Sequence, residues 1–211
     1  MNMIKERKET HKISRLVVLI SGNGSNLQAI LDACQDGTLP ASVMAVVSDQ
    51  ADAYGLTRAR GAGVRTIPLI REPAEKRDAY DARLAHEVSV YEPDYIILAG
   101  WMRLLTTAFL DRFPKRVINL HPALPGTFPG THAIQRAFTA HQRGEIEHTG
   151  IMVHLVPDEG VDNGPVLAMQ KICFKESETL EEFENRMHME EHHLLVNTLR
   201  RLFNEEDTIV L

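Results

Sequence analysis

The residues best suited to chemistry in this 211-residue chain are an amide and an imidazole at the end of one apolar run. Asn119 lies in that run, and His121 and Pro122 follow it. Side chains two residues apart on a strand share a face, so both groups project from its carboxyl end, where open α/β sheets bind ligands. An amide that donates to an oxyanion, beside an imidazole that moves a proton, is suited to acyl transfer. Two residues that only cap a strand are the structural alternative.

A glycine-rich segment, SGNGSNL (21–27), joins an earlier apolar run to a helix-like stretch. Small residues let the backbone approach an anion, and the first N–H groups of the helix and its dipole favour negative charge. The dinucleotide fingerprint requires a glycine where this chain has Leu27, and no Gly-Lys-Ser/Thr of a P-loop follows. The segment therefore predicts a site for a single phosphate, with Ser25 as the helix N-cap. A tight turn without a ligand is the alternative.

The turn-rich segment PDEGVDNG (157–164) carries an acidic candidate, Asp162. Taken alone, an aspartate in such a sequence is a turn residue. If the turn folds over the strand ends, the carboxylate can orient His121 and favour its charged form.

A zinc site is one interpretation of the segment HMEEH (188–192). His188 and His192 match the HxxEH pattern of inverted zinc peptidases, a spacing that can bind Zn²⁺. The same two residues share a helical stripe with Leu195 and Leu199, which favours helix packing. We therefore expect no metal.

Alternating strands and helices must position these groups. Five apolar runs separated by helix-like segments predict a parallel sheet that is covered on both faces. The runs are 16–21, 42–48, 64–69, 94–99 and 116–120. A loop over 122–130 and a helix over 131–143 follow, then two antiparallel runs at 148–156 and 165–171, and a closing helix over 177–203. The predicted fold is α/β: a doubly wound, mostly parallel sheet with a C-terminal antiparallel strand pair and a long closing helix.

Composition narrows the class of protein. The formal net charge is −6, which argues against general nucleic-acid binding, and no apolar run approaches the length of a membrane span. Two cysteines make no disulfide framework, so a cytoplasmic protein without a secretory signal is expected. Residues 1–15 carry a local charge of +3 without apolar periodicity and are predicted to form a loose tail. Residues 16–211 are predicted to form a single domain.

Together these segments resemble the phosphoribosylglycinamide formyltransferases (glycinamide ribonucleotide transformylases), a folate-dependent family of purine biosynthesis. The matching segments are LISGNGSNLQAI (19–30), LAGWMRLL (98–105), INLHPALPGTFPGTHA (118–133) and DNGPV (162–166). Folate-dependent formyltransferases in general share Asn-x-His-Pro, whereas the SGNGSN loop distinguishes this family. The chain departs from the family pattern at Ala123–Gly126 and in the segment 157–164, which is one residue longer.

The resemblance implies a role for each matching residue. It makes Asn119, His121 and Asp162 the catalytic trio, and His132 a residue near the active site. It implies that the phosphate and ribose of glycinamide ribonucleotide bind to Gly24, Ser25, Asn26 and Glu191. It implies that the folate binds to Arg77, Met102, Arg103, Leu104, Leu105 and Asn119.

The reaction that the resemblance implies is formyl transfer from 10-formyltetrahydrofolate, a co-substrate, to the amine of glycinamide ribonucleotide. The amine is the nucleophile, so the protein needs neither a reactive Ser or Cys nor a metal. A protonated His121 and the Asn119 amide stabilise the oxyanion in this scheme. A hydrolase that deformylates the same folate and a non-catalytic phosphate-binding module are the alternatives. The expected partners are the two small-molecule substrates, with no nucleic acid or membrane, and the chain is expected to be a monomer or a homodimer.

Overall fold

The computed structural model describes residues 12–206. Its strands are β1 (Ser14–Ile20), β2 (Ala41–Ser48), β3 (Arg65–Pro68), β4 (Tyr95–Leu98), β5 (Val117–His121), β6 (His148–Leu155) and β7 (Val166–Cys173). Its helices are α1 (Ser25–Gln35), α2 (Tyr54–Gly61), α3 (Arg77–Ser89), α4 (Thr107–Leu110), α5 (Ala133–Gln142) and α6 (Leu180–Glu206).

The seven strands form one sheet in the order β3-β2-β1-β4-β5-β6-β7. The chain winds outward from β1 to β3, then returns to place β4 on the other side of β1. The first five strands are parallel, and β6 runs antiparallel to both β5 and β7. The predicted doubly wound sheet with a C-terminal antiparallel pair is confirmed. The direction of winding reverses between β1 and β4, which is where such folds bind ligands.

Burial on both faces explains the unbroken apolar runs. In β1, Leu16, Val18 and Ile20 pack into one core cluster, and Val17 and Leu19 pack into the other. Helices α1, α2, α5 and α6 contribute to the first cluster, and α3 and α4 contribute to the second. A strand whose side chains are buried on both sides carries no polar alternation, so these runs predict parallel strands well.

Several element boundaries differ from the sequence prediction. The N-cap of α1 is Gly24 in the left-handed conformation, and Ser25 is the first helical residue. The predicted end of the tail at residue 15 is wrong, because Ser14 and Arg15 already belong to β1. The Arg15 guanidinium donates to the Tyr91 carbonyl over 2.7 Å and its backbone N–H donates to Asp94 over 2.8 Å. These polar contacts at the amino ends of β1 and β4 leave no apolar pattern to detect. The rest of the predicted tail, residues 1–11, lies outside the described residues.

The closing helix begins three residues later than predicted, at Leu180. Thr179 and Glu182 form a capping box, in which the Glu182 N–H donates to the Thr179 hydroxyl and the Thr179 N–H donates to the Glu182 carboxylate. Between residues 12 and 206, no helix has the length and apolar character that a membrane span requires.

Candidate active site

The loops that follow β1 and β4 are joined by hydrogen bonds where the sheet changes direction. The Ser21 N–H donates to the Gly100 carbonyl over 3.0 Å, and the Met102 N–H donates to the Ser21 hydroxyl over 2.9 Å. Beside this junction, a cavity of about 380 Å³ opens at the carboxyl ends of β4 and β5. Residues predicted for the site that line it are Met102, Arg103, Leu104, Leu105, Asn119, His121, His132 and Asp162.

His121 ends β5 with hydrogen-bond acceptors at both ring nitrogens. Its Nδ1 lies 3.3 Å from a carboxylate oxygen of Asp162, and its Nε2 lies 3.2 Å from the Phe128 carbonyl oxygen. A neutral imidazole has only one N–H, so it can donate to only one of these two groups. The surroundings are therefore complementary to the imidazolium, which donates to both.

Burial of His121 opposes the charged form that Asp162 favours. The side chain is almost fully buried, and burial lowers the pKa of His121 below its ordinary value of 6.5. The Asp162 carboxylate and the Phe128 carbonyl raise it, but they do not outweigh the loss of solvation. Burial therefore favours the neutral imidazole in the free protein. The expected effect of Asp162, which is to favour the charged form of His121, is present but smaller than the opposing effect of burial.

Asp162 occupies the position that the sequence analysis proposed for it, despite the longer loop. One carboxylate oxygen accepts from the Asn119 amide over 3.1 Å, and the other accepts from the Gly130 N–H over 2.8 Å. Burial acts to raise the pKa of Asp162, but the Gly130 N–H, which donates to the carboxylate, and the neighbouring His154 and His121 side chains leave it below the ordinary value of 3.8. The group is therefore a carboxylate at neutral pH, held between β5 and the loop that follows it.

A second buried histidine, His154 on β6, was not among the residues predicted for the site. It lies opposite Asn119 in the antiparallel register, and its Nε2 is 3.1 Å from the Asn119 amide nitrogen. Because Nδ1 lies 2.8 Å from the Leu155 carbonyl oxygen, its proton is held there and Nε2 accepts from Asn119. The amide nitrogen of Asn119 thus donates to both His154 and Asp162 in the free protein. One of these two hydrogen bonds must break before the Asn119 amide can donate to a substrate oxygen.

The segment predicted to contact the folate forms one wall of the cavity. Met102 and Leu104 expose 63% and 46% of their surface, whereas Leu105 is buried and anchors the segment. The Arg103 guanidinium lies over the Tyr80 ring at 4.9 Å and 3.7 Å from the Asp49 carboxylate. This part of the cavity therefore offers exposed apolar side chains on a fixed backbone.

Arg77 is placed at the edge of the site by a contact that the sequence did not predict. It is absent from the cavity wall but pairs over 3.0 Å with Glu159, which does line the cavity. The second carboxylate oxygen of Glu159 accepts from the Thr107 N–H over 3.0 Å. In the free protein, the loop that carries Asp162 is thus tied to α3 and α4.

The glycine-rich loop lies outside this cavity but at the same edge of the sheet. Strands β1 and β5 flank β4, so their carboxyl ends are separated by about 10 Å at the usual strand spacing. Within residues 12–206, the backbone N–H groups of Ser25, Asn26 and Leu27 make no hydrogen bond to a protein acceptor. Gly24 has φ 75°, and a Cβ there would lie 2.7 Å from the Cα of Gly55. Free donors and a close backbone approach suit this turn to an anion.

The segment 188–192 forms an internal ion pair on α6. His188 Nδ1 lies 2.7 Å from Glu191, and this hydrogen bond raises the pKa of His188 above 6.5. Glu191 is almost fully buried, whereas the Nε2 atom of His192 is buried without a partner. Across the described residues, no three or more His, Cys, Asp or Glu side chains are grouped so that they could hold a metal ion.

Known proteins are similar to this chain in both sequence and fold. The formyl transferase family model matches residues 14–199. Phosphoribosylglycinamide formyltransferase of Escherichia coli (strain K12) is 44% identical over 177 residues, which are 84% of this chain and 81% of that protein. The enzyme of that name from Schizosaccharomyces pombe is 42% identical over 205 residues, 92% of this chain and 99% of that protein. The crystal structure of glycinamide ribonucleotide transformylase 1 from Symbiobacterium toebii superposes with a TM-score of 0.85 at 40% identity, covering 93% of this chain and 90% of that one.

Replacing Asp162 by Asn should lower the pKa of His121 further, because the carboxylate is the main charge that favours the imidazolium. NMR titration of the His121 ring in both proteins measures this shift. Asp158→Asn, in the same loop, is the control, because its carboxylate accepts from the Gly160 N–H rather than facing His121. An unchanged or raised His121 pKa in Asp162→Asn would contradict the electrostatic coupling.

Proposed function

The chain belongs to the formyl transferase family, and we propose that it transfers the formyl group of 10-formyltetrahydrofolate to the amine of glycinamide ribonucleotide. One observation carries this choice of substrates. A loop with free N–H donors and a cluster of Asn119, His121 and Asp162 lie at the same edge of the sheet, after strands whose carboxyl ends are about 10 Å apart. That separation suits an acceptor with a phosphate at one end and a nucleophilic amine at the other.

The amine is the nucleophile in the proposed reaction. Its nitrogen attacks the formyl carbon, a C–N bond forms, and the carbonyl oxygen takes up negative charge. Collapse of this tetrahedral species breaks the bond between the formyl carbon and N10 of the folate. The products are the formylated glycinamide ribonucleotide and tetrahydrofolate, so atoms and charge balance once one proton has moved from the amine to N10.

His121 carries that proton in the proposed mechanism. Its lowered pKa leaves a neutral imidazole that can accept a proton as the amine attacks. The proposed route requires Nε2 to exchange the Phe128 carbonyl for the substrate, so that Nε2 takes up the proton while Nδ1 donates to the Asp162 carboxylate. The carboxylate stabilises the charged ring after proton uptake, so it favours the intermediate over the resting state. Return of the proton to N10 completes the transfer.

Asn119 is proposed to stabilise the oxyanion. Its amide donors are held by Asp162 and His154 in the free protein. An oxyanion is a stronger acceptor than a neutral imidazole nitrogen, so we propose that the bond to His154 is exchanged for one to the substrate oxygen. The bond to Asp162 then keeps the amide in place. His132, at the N-cap of α5 and on the cavity wall, is proposed as an auxiliary residue.

The two substrates are proposed to enter from different parts of the sheet edge. The phosphate binds the backbone of Gly24, Ser25 and Asn26, and Glu191 contacts the ribose. The folate ring system lies against the Met102–Leu105 wall. Arg77 binds the anionic tail of the folate, which requires exchange of its pairing with Glu159.

Further proposals concern the setting of the reaction. We propose that no metal takes part, since amine attack and proton transfer need none. We propose a cytoplasmic enzyme that acts as a monomer or homodimer on small molecules, without binding nucleic acid or a membrane. Residues 16–211 are proposed to act as one domain, with nucleotide binding in the N-terminal half and folate binding and catalysis in the C-terminal half.

Replacing His121 by Ala should lower kcat by about 10²-fold or more, the usual contribution of general acid–base catalysis. The KM of glycinamide ribonucleotide should change little, because the phosphate binds at a different loop. Steady-state kinetics with both substrates measures this. The control is His86→Ala, an exposed histidine on α3. Near-normal kcat in folded His121→Ala would exclude the proposed proton carrier.

Replacing Gly24 by Ala should weaken binding of glycinamide ribonucleotide by a decade or more. The new Cβ meets the Gly55 backbone and the residue has a left-handed conformation, so the loop must shift away from the phosphate. Each charge-assisted hydrogen bond lost is worth roughly 1.5–3 kcal/mol. Calorimetric titration of nucleotide and folate into the folded variant separates the two sites.

Gly37→Ala provides the matched control for this change. Gly37 also has a left-handed conformation, with φ 79°, but a Cβ there meets nothing within 4 Å. It follows the opposite end of α1. If Gly24→Ala weakens both ligands equally, or neither of them, the loop is a turn without a role in phosphate binding.

A further inference from the structure

Arg58 on α2 makes hydrogen bonds to residues on both sides of the proposed phosphate loop. Its Nε donates to the Asn23 carbonyl over 2.9 Å, and one Nη donates to the Asn23 side-chain oxygen over 3.0 Å. The other Nη donates to the Gln28 side-chain oxygen over 3.4 Å. Asn23 precedes Gly24, and Gln28 follows Leu27, so one planar guanidinium spans the segment with the free N–H groups.

The same guanidinium carries a charge that no carboxylate neutralises. Among the residues that the structure describes, Arg58 forms no ion pair with an acidic side chain. It lies over the Tyr54 ring at 4.9 Å, which fixes its plane from the other side. Three neutral acceptors and an aromatic ring therefore hold an arginine whose positive charge remains available beside the loop.

Backbone contacts join α2 to the same loop. The Gly55 N–H donates to the Gly22 carbonyl over 3.0 Å, and a Cβ at Gly55 would lie 3.2 Å from the Cα of Gly24. The first turn of α2 thus packs directly on the loop backbone. Arg58, one turn further along the helix, adds side-chain bonds to the contact that the two glycines make possible.

We propose that Arg58 is a positioning residue for phosphate binding. This inference rests on the proposed function, because it assumes that the loop binds the phosphate of the nucleotide. The fork of three donors fixes the Asn23 peptide and the Gln28 side chain, so the intervening N–H groups are held ready for an anion. Preorganised donors bind more tightly because their ordering is complete before the ligand arrives.

The proposed positioning of the loop depends on the two guanidinium hydrogen bonds to Asn23 and not on charge alone. A lysine retains the positive charge but presents a point charge and cannot reproduce the planar fork. Arg58→Lys therefore separates positioning from general electrostatic attraction. Arg58→Met removes both contributions and keeps much of the apolar stem. Arg60→Met is the matched control, because Arg60 is exposed on the same helix and its Nη2 donates to Thr57 on its own helix.

The test compares kcat/KM for glycinamide ribonucleotide with that for the glycinamide riboside, which lacks the phosphate, in wild type and the three variants. For the nucleotide, Arg58→Met should lower kcat/KM about tenfold or more through KM, and Arg58→Lys should remain at least about fivefold impaired. For the riboside, the Arg58 variants should match wild type within about twofold. Arg60→Met should match wild type with both substrates. Thermal unfolding of each variant establishes that it is folded at the assay temperature.

Several results would overturn the proposal. Nucleotide kinetics equal to wild type in Arg58→Met, or full recovery in Arg58→Lys, would exclude positioning by the fork. Equal losses with nucleotide and riboside would show a general structural role, and if Arg58→Met fails to fold, Arg58→Lys alone decides. Wild-type protein that does not prefer the nucleotide over the riboside would instead contradict the proposed phosphate site itself. If wild type prefers the nucleotide and the Arg58 variants behave like wild type, the phosphate site stands and only the positioning role of Arg58 is rejected.

Discussion

The adjacency of β1 and β4 is the constraint on which the site depends. Because the chain winds outward from β1 and returns beside it, the loops after these two strands diverge and leave a crevice at the sheet edge. Hydrogen bonds through Ser21 hold the two loops together at the base of that crevice. The glycine-rich turn lies on one side of the crevice. The 102–105 wall and the end of β5 lie on the other side. A single topological feature thus places a phosphate loop, an apolar wall and an acid–base group within reach of one small substrate pair.

Burial determines the chemistry at the end of β5. Removal of His121 from water favours the neutral ring, while Asp162 and the Phe128 carbonyl favour the charged ring. Burial is the larger of the two opposing effects, so the neutral ring is favoured at rest although the acceptors around it suit the protonated form. The Asp162 carboxylate itself stays charged because Gly130, Asn119 and the neighbouring imidazoles compensate for its lost solvation. Such a site can take up and return a proton without rearranging its charged groups.

Sequence patterns predicted those parts of the molecule that depend on local periodicity. The buried runs of β1 and β4 reveal a parallel sheet, and the two-residue spacing of Asn119 and His121 places both at one strand end. The pairing of Asn119 with His154 depends instead on the register between β5 and β6, which no local pattern specifies. The contacts of Arg58 with Asn23 and of Glu159 with Arg77 join residues far apart in the chain and depend on loop conformation. The resting charge of His121 required knowledge of its burial, which its position at a strand end did not reveal.

We propose that the cluster at the end of β5 directs the formyl group to an amine whose phosphate is held at the loop after β1. The most direct measurement follows the folate absorbance change on adding 10-formyltetrahydrofolate, first alone and then with glycinamide ribonucleotide. We expect no turnover with the folate alone, and one formylated nucleotide for each folate consumed when both substrates are present. Consumption of the folate without the nucleotide would indicate transfer to water, and the absence of any change with both substrates would leave only a binding protein. Either result would contradict formyl transfer from the folate to the nucleotide.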